Sequence, residues 1–209
     1  MRILGIDEAG RGCVIGPMVI GGVIISKNKL PQLDQLGVKD SKQLSSSRRQ
    51  NLVDSIKETA NQTQLIIIPP SQIDQISLNE LDLRAINRLI NKFQPQKALF
   101  DVPTHPNGVE RFVQAVRYGL DFEVDLVGEN KADLKYPLVS AASILAKVKR
   151  DQIIEELKEK YGDFGSGYMS DPKTQQFLVD YHRQHKSFPK IVRTKWTSVK
   201  RLLFQQQNL

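Results

Sequence analysis

Met1-Arg2-Ile3-Leu4-Gly5-Ile6-Asp7-Glu8-Ala9-Gly10-Arg11-Gly12 opens the chain and decides how the rest is read. Ile3, Leu4 and Ile6 make a short apolar run of the length of a buried strand. Two adjacent carboxylates, Asp7 and Glu8, close it. Gly10-Arg11-Gly12 follows, and its glycines allow backbone angles and close approaches that other residues resist. Neighbouring side chains on a strand point to opposite faces, so the two acids can share one ion only where the strand breaks or bends. Taken alone, such an acid pair is more often a solvated strand end than a site.

The chain has 209 residues, which suits one domain with room for an appendage. With 40% hydrophobic residues it can bury a sizeable core, which excludes global disorder. No apolar run approaches the length of a membrane span, and Met1 leads straight into the strand without a signal-peptide pattern. The single cysteine, Cys13, excludes an intrachain disulfide and a cysteine zinc cluster. A cytoplasmic, monomeric protein with no membrane partner is expected.

Charge is unevenly spread. The whole chain carries 30 Lys+Arg against 23 Asp+Glu, net +7. Residues 181–209 hold Arg183, Lys186, Lys190, Arg193, Lys195, Lys200 and Arg201 and no acid, so the excess lies in this tail. Tyr181, Phe188, Trp196 and Phe204 are interleaved with these cations. That pattern fits contact with a phosphate backbone, and equally a solvated basic helix docked by its aromatics.

Strands and helices alternate along the chain. Residues 17–25 read as a second buried strand, with Gly21 and Gly22 marking a bulge or close packing. Residues 27–44 read as loop and contain Lys39-Asp40-Ser41-Lys42. Ser45-Ser46-Ser47 offers N-caps for a helix to about residue 60. A strand at 64–69, a helix opened by the capping box Ser77–Glu80 and running to Phe93, and a strand at 97–102 ending in Asp101 come next. A helix at 107–118 and an edge strand at 121–127, alternating acid and apolar residues, complete the middle of the chain. The loop 128–136 carries Asp133. Pro137 begins a long helix to about Tyr161, whose Ser140-Ala141-Ala142-Ser143 front is small enough for close packing. A glycine-rich loop at 162–172 and helices at about 173–184 and 194–206 finish the chain. The pattern is a layered α/β domain.

Asp7 and Asp101 fall at strand ends and Asp133 just before a helix, where open sheets gather their functional groups. Together with Glu8 they would repel one another unless cations neutralise them. An all-oxygen ligand set suits Mg²⁺ or Mn²⁺ rather than zinc.

Asp7-Glu8-Ala9-Gly10-Arg11-Gly12, Asp40-Ser41-Lys42, Lys131-Ala132-Asp133 with the run Tyr136 to Ile144, and Gly165-Ser166-Gly167-Tyr168 together resemble the ribonuclease HII family in its archaeal form. Several motifs stand in the right order over nearly the whole chain. The resemblance implies a ribonuclease H-like mixed sheet flanked by helices, with a catalytic domain over 1–180. It implies a basic helical C-terminal segment over 181–209, packed on that domain and contacting substrate. It implies endonucleolytic cleavage of RNA in RNA–DNA hybrids and at ribonucleotides embedded in duplex DNA, with 5′-phosphate and 3′-hydroxyl products.

By the same resemblance Asp7, Glu8, Asp101 and Asp133 are the catalytic, metal-binding acids of a two-metal hydrolysis. Gly10, Arg11 and Gly12 form a sensor whose backbone reaches the ribose. Tyr168 meets the 2′-hydroxyl, the group that separates RNA from DNA, and Arg11 and Lys42 bind flanking phosphates. Cys13 stands where the family commonly has proline, and it reads as a small packing residue. His105 and His182 are candidate proton shuttles, with a surface role the preferred reading for each. The C-terminus shows no clear sliding-clamp-binding motif, which argues against a clamp partner. Two rivals are another metal nuclease on the same fold, such as a junction resolvase, and a non-catalytic nucleic-acid-binding module. The first has no use for ribose readers and the second none for four acids.

Overall fold

The first strand, β1 (Arg2–Ala9), is central in a five-stranded sheet. It runs antiparallel to β2 (Met18–Ser26), so the chain opens as a hairpin. On its other side β1 pairs in parallel with β4 (Lys97–Asp101), which pairs in parallel with the edge strand β5 (Asp125–Glu129). With β3 (Gln62–Ile68) outermost on the β2 side, the order is β3-β2-β1-β4-β5. The computed structural model describes residues 1–38 and 45–207.

Nine α-helices are found among the described residues: α1 (Leu30–Gln35), α2 (Ser46–Thr59), α3 (Pro70–Ile73), α4 (Leu78–Phe93), α5 (Val109–Tyr118), α6 (Ala132–Lys135), α7 (Pro137–Tyr161), α8 (Pro172–His185) and α9 (Thr197–Gln207). Ser45 caps α2 through its hydroxyl, which accepts from Arg48 N–H at 3.3 Å. Residues 30–35 are helical rather than loop. Pro31 lies in the first turn of α1, where its missing N–H costs nothing, and Leu33 gives the helix a buried anchor. The edge strand starts at Asp125, later than the alternation suggests, and Ala132–Lys135 form a short turn of helix inside an expected loop. Among the described residues no helix is long and apolar enough to cross a membrane.

Packing divides the chain into two compact units. One holds residues 1–9, 19–66 and 79–149; the other holds 10–18, 67–78 and 150–209. In the first unit Ile3, Val23, Ile25 and Leu99 of the sheet bury against Val53 and Ile56 of α2 and Leu138, Val139, Ala142 and Leu145 of α7. Burying each such aliphatic side chain stabilises the fold by about 1.5–3 kcal/mol.

Glycines set the spacing of this layer. A methyl on Gly5 would lie 2.7 Å from the Leu138 side chain and nearer still to its carbonyl, and one on Gly21 would collide with the Ala142 carbonyl. Gly21 therefore serves close packing of α7 on the sheet, within an unbroken ladder that pairs it with Asp7.

In the second unit Val14, Ile15, Ile154, Phe164, Leu178, Ile191, Val192 and Val199 form their own core, with Phe177 and Trp196 packed against it.

Candidate active site

β1 does not break at its acids. Asp7 and Glu8 remain in the ladder opposite Gly21 and Ile20, and β4 ends beside them at Asp101. One carboxylate oxygen from each of Asp7, Glu8 and Asp101 lies within 4.8 Å of the other two. Asp7 is the buried member, and its Oδ1 accepts the Glu8 N–H at 2.8 Å. Burial pushes the Asp7 carboxyl well above the usual range. The neighbouring charge of Glu8 and, more weakly, that of Asp101 add to this, against a hydrogen bond from Ser143. A buried carboxyl that resists ionisation beside two more carboxylates calls for a cation, and an oxygen-only donor set fits a hard divalent ion.

Asp133 does not join this group of three. It is buried in the first turn of α6, directly after Ala132, whose N–H donates to Asp101 Oδ1 at 2.8 Å. Lys131 enters α6 with φ +57°, a left-handed conformation. At the C-terminal side of this turn, Glu129 accepts from Lys135 Nζ at 2.8 Å and from the Tyr136 hydroxyl at 2.8 Å. These donors hold the Glu129 carboxyl below its ordinary pKa, Lys135 first and Tyr136 second.

The second unit contains Gly10-Arg11-Gly12 and Tyr168. Gly10 has φ +80°, and a methyl there would strike Arg150 Nε and Cδ, so both shape and space require glycine. Gly12 is exposed, and a methyl on it would lie 3.7 Å from the Tyr168 ring. Tyr168 sits on a turn built from Gly165 and Gly167, both at positive φ. Asp171 Oδ2 accepts Ser166 N–H at 2.7 Å, and Thr174 Oγ1 accepts Gly167 N–H at 3.1 Å while donating to the Phe164 carbonyl. The Gly167 carbonyl then accepts from Val14 and Ile15 N–H at 2.8 and 3.1 Å, which ties this turn to the segment after Gly12.

Against the turn lie groups whose sequence context suggested other roles or none. Cys13 is fully buried, and Arg150 Nη2 donates to its Sγ at 2.8 Å. The Arg150 guanidinium is 5.6 Å from the centre of the Tyr168 ring. Partial burial pushes the Tyr168 phenol up to about 12, followed by a hydrogen bond with Cys13. Arg193, expected among the phosphate-binding cations of the tail, is instead fully buried. Burial brings its pKa down to about 10, which still leaves it cationic at neutral pH. The one sequence signal was its apolar lead-in, Ile191-Val192. The tail's other cations, Arg183, Lys186, Lys190, Lys195, Lys200 and Arg201, are exposed.

Of the remaining expected residues, Lys42 lies outside the described residues. His105 is exposed, and His182 packs on Phe188 with ring centres 5.2 Å apart.

A mixed sheet that opens with a hairpin and gathers carboxylates at the ends of its two central strands defines a nuclease of the ribonuclease H fold. A family model described as Ribonuclease HII matches residues 4–199. A ribonuclease HII of Pyrococcus furiosus is 45% identical over 204 residues, covering 97% of this chain and 91% of that protein. The crystal structure of the ribonuclease H2 from Pyrococcus horikoshii OT3 superposes with a TM-score of 0.92 at 41% identity, covering all of both chains. A structure of the PCNA:RNase HII complex from Archaeoglobus fulgidus matches with a TM-score of 0.84 at 40% identity, over 94% of this chain and 96% of that one.

The chain belongs to the ribonuclease HII family and is a metal-dependent ribonuclease H. The Archaeoglobus fulgidus relative is found in complex with PCNA, which counts against the doubt cast on a clamp partner from the C-terminal sequence.

Proposed function

We propose that the protein hydrolyses RNA in RNA–DNA hybrids and nicks duplex DNA at embedded ribonucleotides, leaving 5′-phosphate and 3′-hydroxyl ends. The observation that supports this most is the meeting of Asp7, Glu8 and Asp101, with the Asp7 carboxyl too buried to ionise easily without a cation. These three acids, with Asp133 as the fourth, would hold paired Mg²⁺ or Mn²⁺, which supply an activated water and stabilise the leaving 3′ oxygen. Asp7 contributes a fixed buried oxygen, Glu8 and Asp101 the less buried ones, and the Ala132 N–H keeps the Asp101 carboxylate aimed. No side chain has to act as nucleophile.

Gly10, Arg11 and Gly12 would read the ribose by close backbone approach, and the Tyr168 hydroxyl would meet the 2′-hydroxyl. A phenol pushed up to about 12 stays protonated at neutral pH and keeps its donor. Arg11 and Lys42 would bind flanking phosphates. The exposed cations of residues 181–209 would add backbone contacts that carry no sequence information. A cytoplasmic location and a monomeric state belong to the same proposal.

The test is an end-labelled duplex holding one ribonucleotide, incubated with and without Mg²⁺ and mapped at the nick. Cutting 5′ to the ribonucleotide only with metal is expected. Equal cutting of an all-deoxy duplex would favour a general metal nuclease, and tight binding without cutting a non-catalytic module.

A further inference from the structure

Arg193 carries a positive charge into a place that exposes none of it, and all three of its donor nitrogens end on main-chain carbonyls of one loop. Nη2 donates to the Gly10 carbonyl at 2.6 Å, Nη1 to the Arg11 carbonyl at 2.7 Å and Nε to the Gly16 carbonyl at 3.1 Å. The residue is aimed from both sides. Its own N–H donates to the Val14 carbonyl at 2.9 Å, and the Trp196 ring lies 5.1 Å from its guanidinium carbon. Asp74 grips the next two residues, taking Thr194 N–H and hydroxyl at 2.8 Å each and Lys195 N–H at 3.2 Å.

We infer that Arg193 is the positioning residue of the Gly10-Arg11-Gly12 loop: by holding the Gly10 and Arg11 carbonyls it sets the orientation of the two peptides that would face the ribose.

Peptide geometry supplies the link. A trans peptide is planar, with its N–H antiparallel to its C=O, and no cis bond occurs among the described residues. Fixing the Gly10 and Arg11 carbonyls toward Arg193 therefore turns the Arg11 and Gly12 N–H groups away from it, on two consecutive planes. The first of these planes follows Gly10 at φ +80°, a left-handed backbone that glycine takes readily.

A planar guanidinium with five donors in fixed directions can hold three carbonyls at once, whereas a lysine ammonium is a compact point charge on a flexible stem. The basic tail would thus serve recognition in two ways: its exposed cations through phosphate, its one buried cation through the shape of the loop.

This inference rests on the proposed ribose-reading role of the loop, and the test separates the two. In EDTA, where nothing is cut, the full-length protein is titrated with an all-deoxy duplex and with the same duplex carrying one ribonucleotide. The wild type is expected to prefer the ribonucleotide duplex. Arg193→Lys is expected to bring that preference to about one, while affinity for the all-deoxy duplex, set by phosphate contacts, changes less than about twofold.

An Arg193→Lys protein that keeps the wild-type preference overturns the inference and leaves the reading role intact. Equal weakening on both duplexes also overturns it, because it marks a purely structural residue. A wild type without preference removes the reading role, and the inference with it. Circular dichroism checks folding. If Arg193→Lys does not fold, Asp74→Asn is read instead: it keeps the guanidinium but loosens the backbone that aims it. A partial loss of preference there supports the inference, and an unchanged preference overturns it.

Discussion

The Ala132 N–H donates to Asp101 Oδ1 at 2.8 Å, so the carboxylate that ends β4 is held by the residue immediately before Asp133. An asparagine at position 101 still offers an oxygen to that N–H but no charge to a cation. Asp101→Asn should therefore keep its place while cutting falls by about 10²–10³ or more. Binding to an RNA–DNA hybrid in EDTA should stay within about twofold, because on the proposed reading the exposed cations would supply most of it. A variant that cuts at the wild-type rate would remove Asp101 from the metal site.

Asp7 makes a prediction about stability rather than rate. Its carboxyl is buried, and its folded pKa is raised above the unfolded value, chiefly by that burial. Below the unfolded value of about 3.9 the carboxyl is protonated in both states and costs nothing; as pH rises from there through the raised folded pKa, the unfolded chain ionises more readily and folding is disfavoured. Asp7→Asn should therefore melt higher than the wild type in EDTA at neutral pH. The gain should vanish at pH values below the unfolded value of about 3.9, where both states are protonated. Mg²⁺ should raise the melting point of the wild type and do so far less for the variant. Thermal scans at two pH values with and without Mg²⁺ check all of this.

Much of this was legible in the sequence. Periodicity and capping marked β1, α4 and α7 because each repeats one local rule over many residues: Leu81, Ala85, Leu89 and Phe93 line a buried face of α4 at four-residue spacing. The meeting of Asp7, Glu8 and Asp101 followed from strand ends sharing one side of a sheet. Arg193 was illegible because nothing local separates a buried arginine from an exposed one; its partners are the carbonyls of residues more than 170 positions away. Cys13 was read as packing, and its contact with Arg150 spans 137 positions. Helix α1 was missed because its six residues are too few to show a period.

The glycines of the sheet should be costly to replace. A methyl at Gly21 has to displace the Ala142 backbone rather than a flexible side chain, and one at Gly5 meets the backbone and side chain of Leu138. Gly21→Ala should lose about 1–3 kcal/mol or more, and with it the ordered placement of Asp7 directly opposite. Gly37→Ala, where a methyl meets nothing within 4 Å but φ is +71°, should lose only the smaller cost of the left-handed backbone, about 1 kcal/mol. Urea unfolding of the two variants ranks them, and a reversed order would contradict the packing of α7 on the sheet.

The tail's exposed cations should be felt through salt. Replacing Lys186, Lys190, Lys195 and Lys200 together by Gln leaves the buried Arg193 untouched. Binding to duplex should weaken most at low salt, and the slope of log affinity against log salt should flatten by up to about 0.9 for each phosphate no longer neutralised. The preference for a ribonucleotide duplex should be retained, since these side chains would touch only phosphate. An unchanged slope would make residues 181–209 a packing element alone.

Tyr168 can be divided into its ring and its hydroxyl. The ring lies over Arg150 and the phenol is hydrogen-bonded with Cys13, so Tyr168→Phe keeps the stacking and gives up the hydrogen bond, while Tyr168→Ala removes both. Cutting at a single ribonucleotide should fall by about tenfold in the Phe variant, the worth of one hydrogen bond, and further in the Ala variant. The raised phenol pKa adds a pH signature. The fold favours the protonated phenol, so its contribution is intact below the unfolded value of about 10 and is lost as pH rises toward about 12. Phenolate absorbance in an alkaline titration, wild type minus Tyr168→Phe, should therefore appear late, and Cys13→Ala should bring it earlier by removing one of the causes that raise it. A Tyr168 that ionises near 10 in the wild type would show that the phenol is not held as described, and full activity of the Phe variant would take the 2′-hydroxyl contact away from its oxygen.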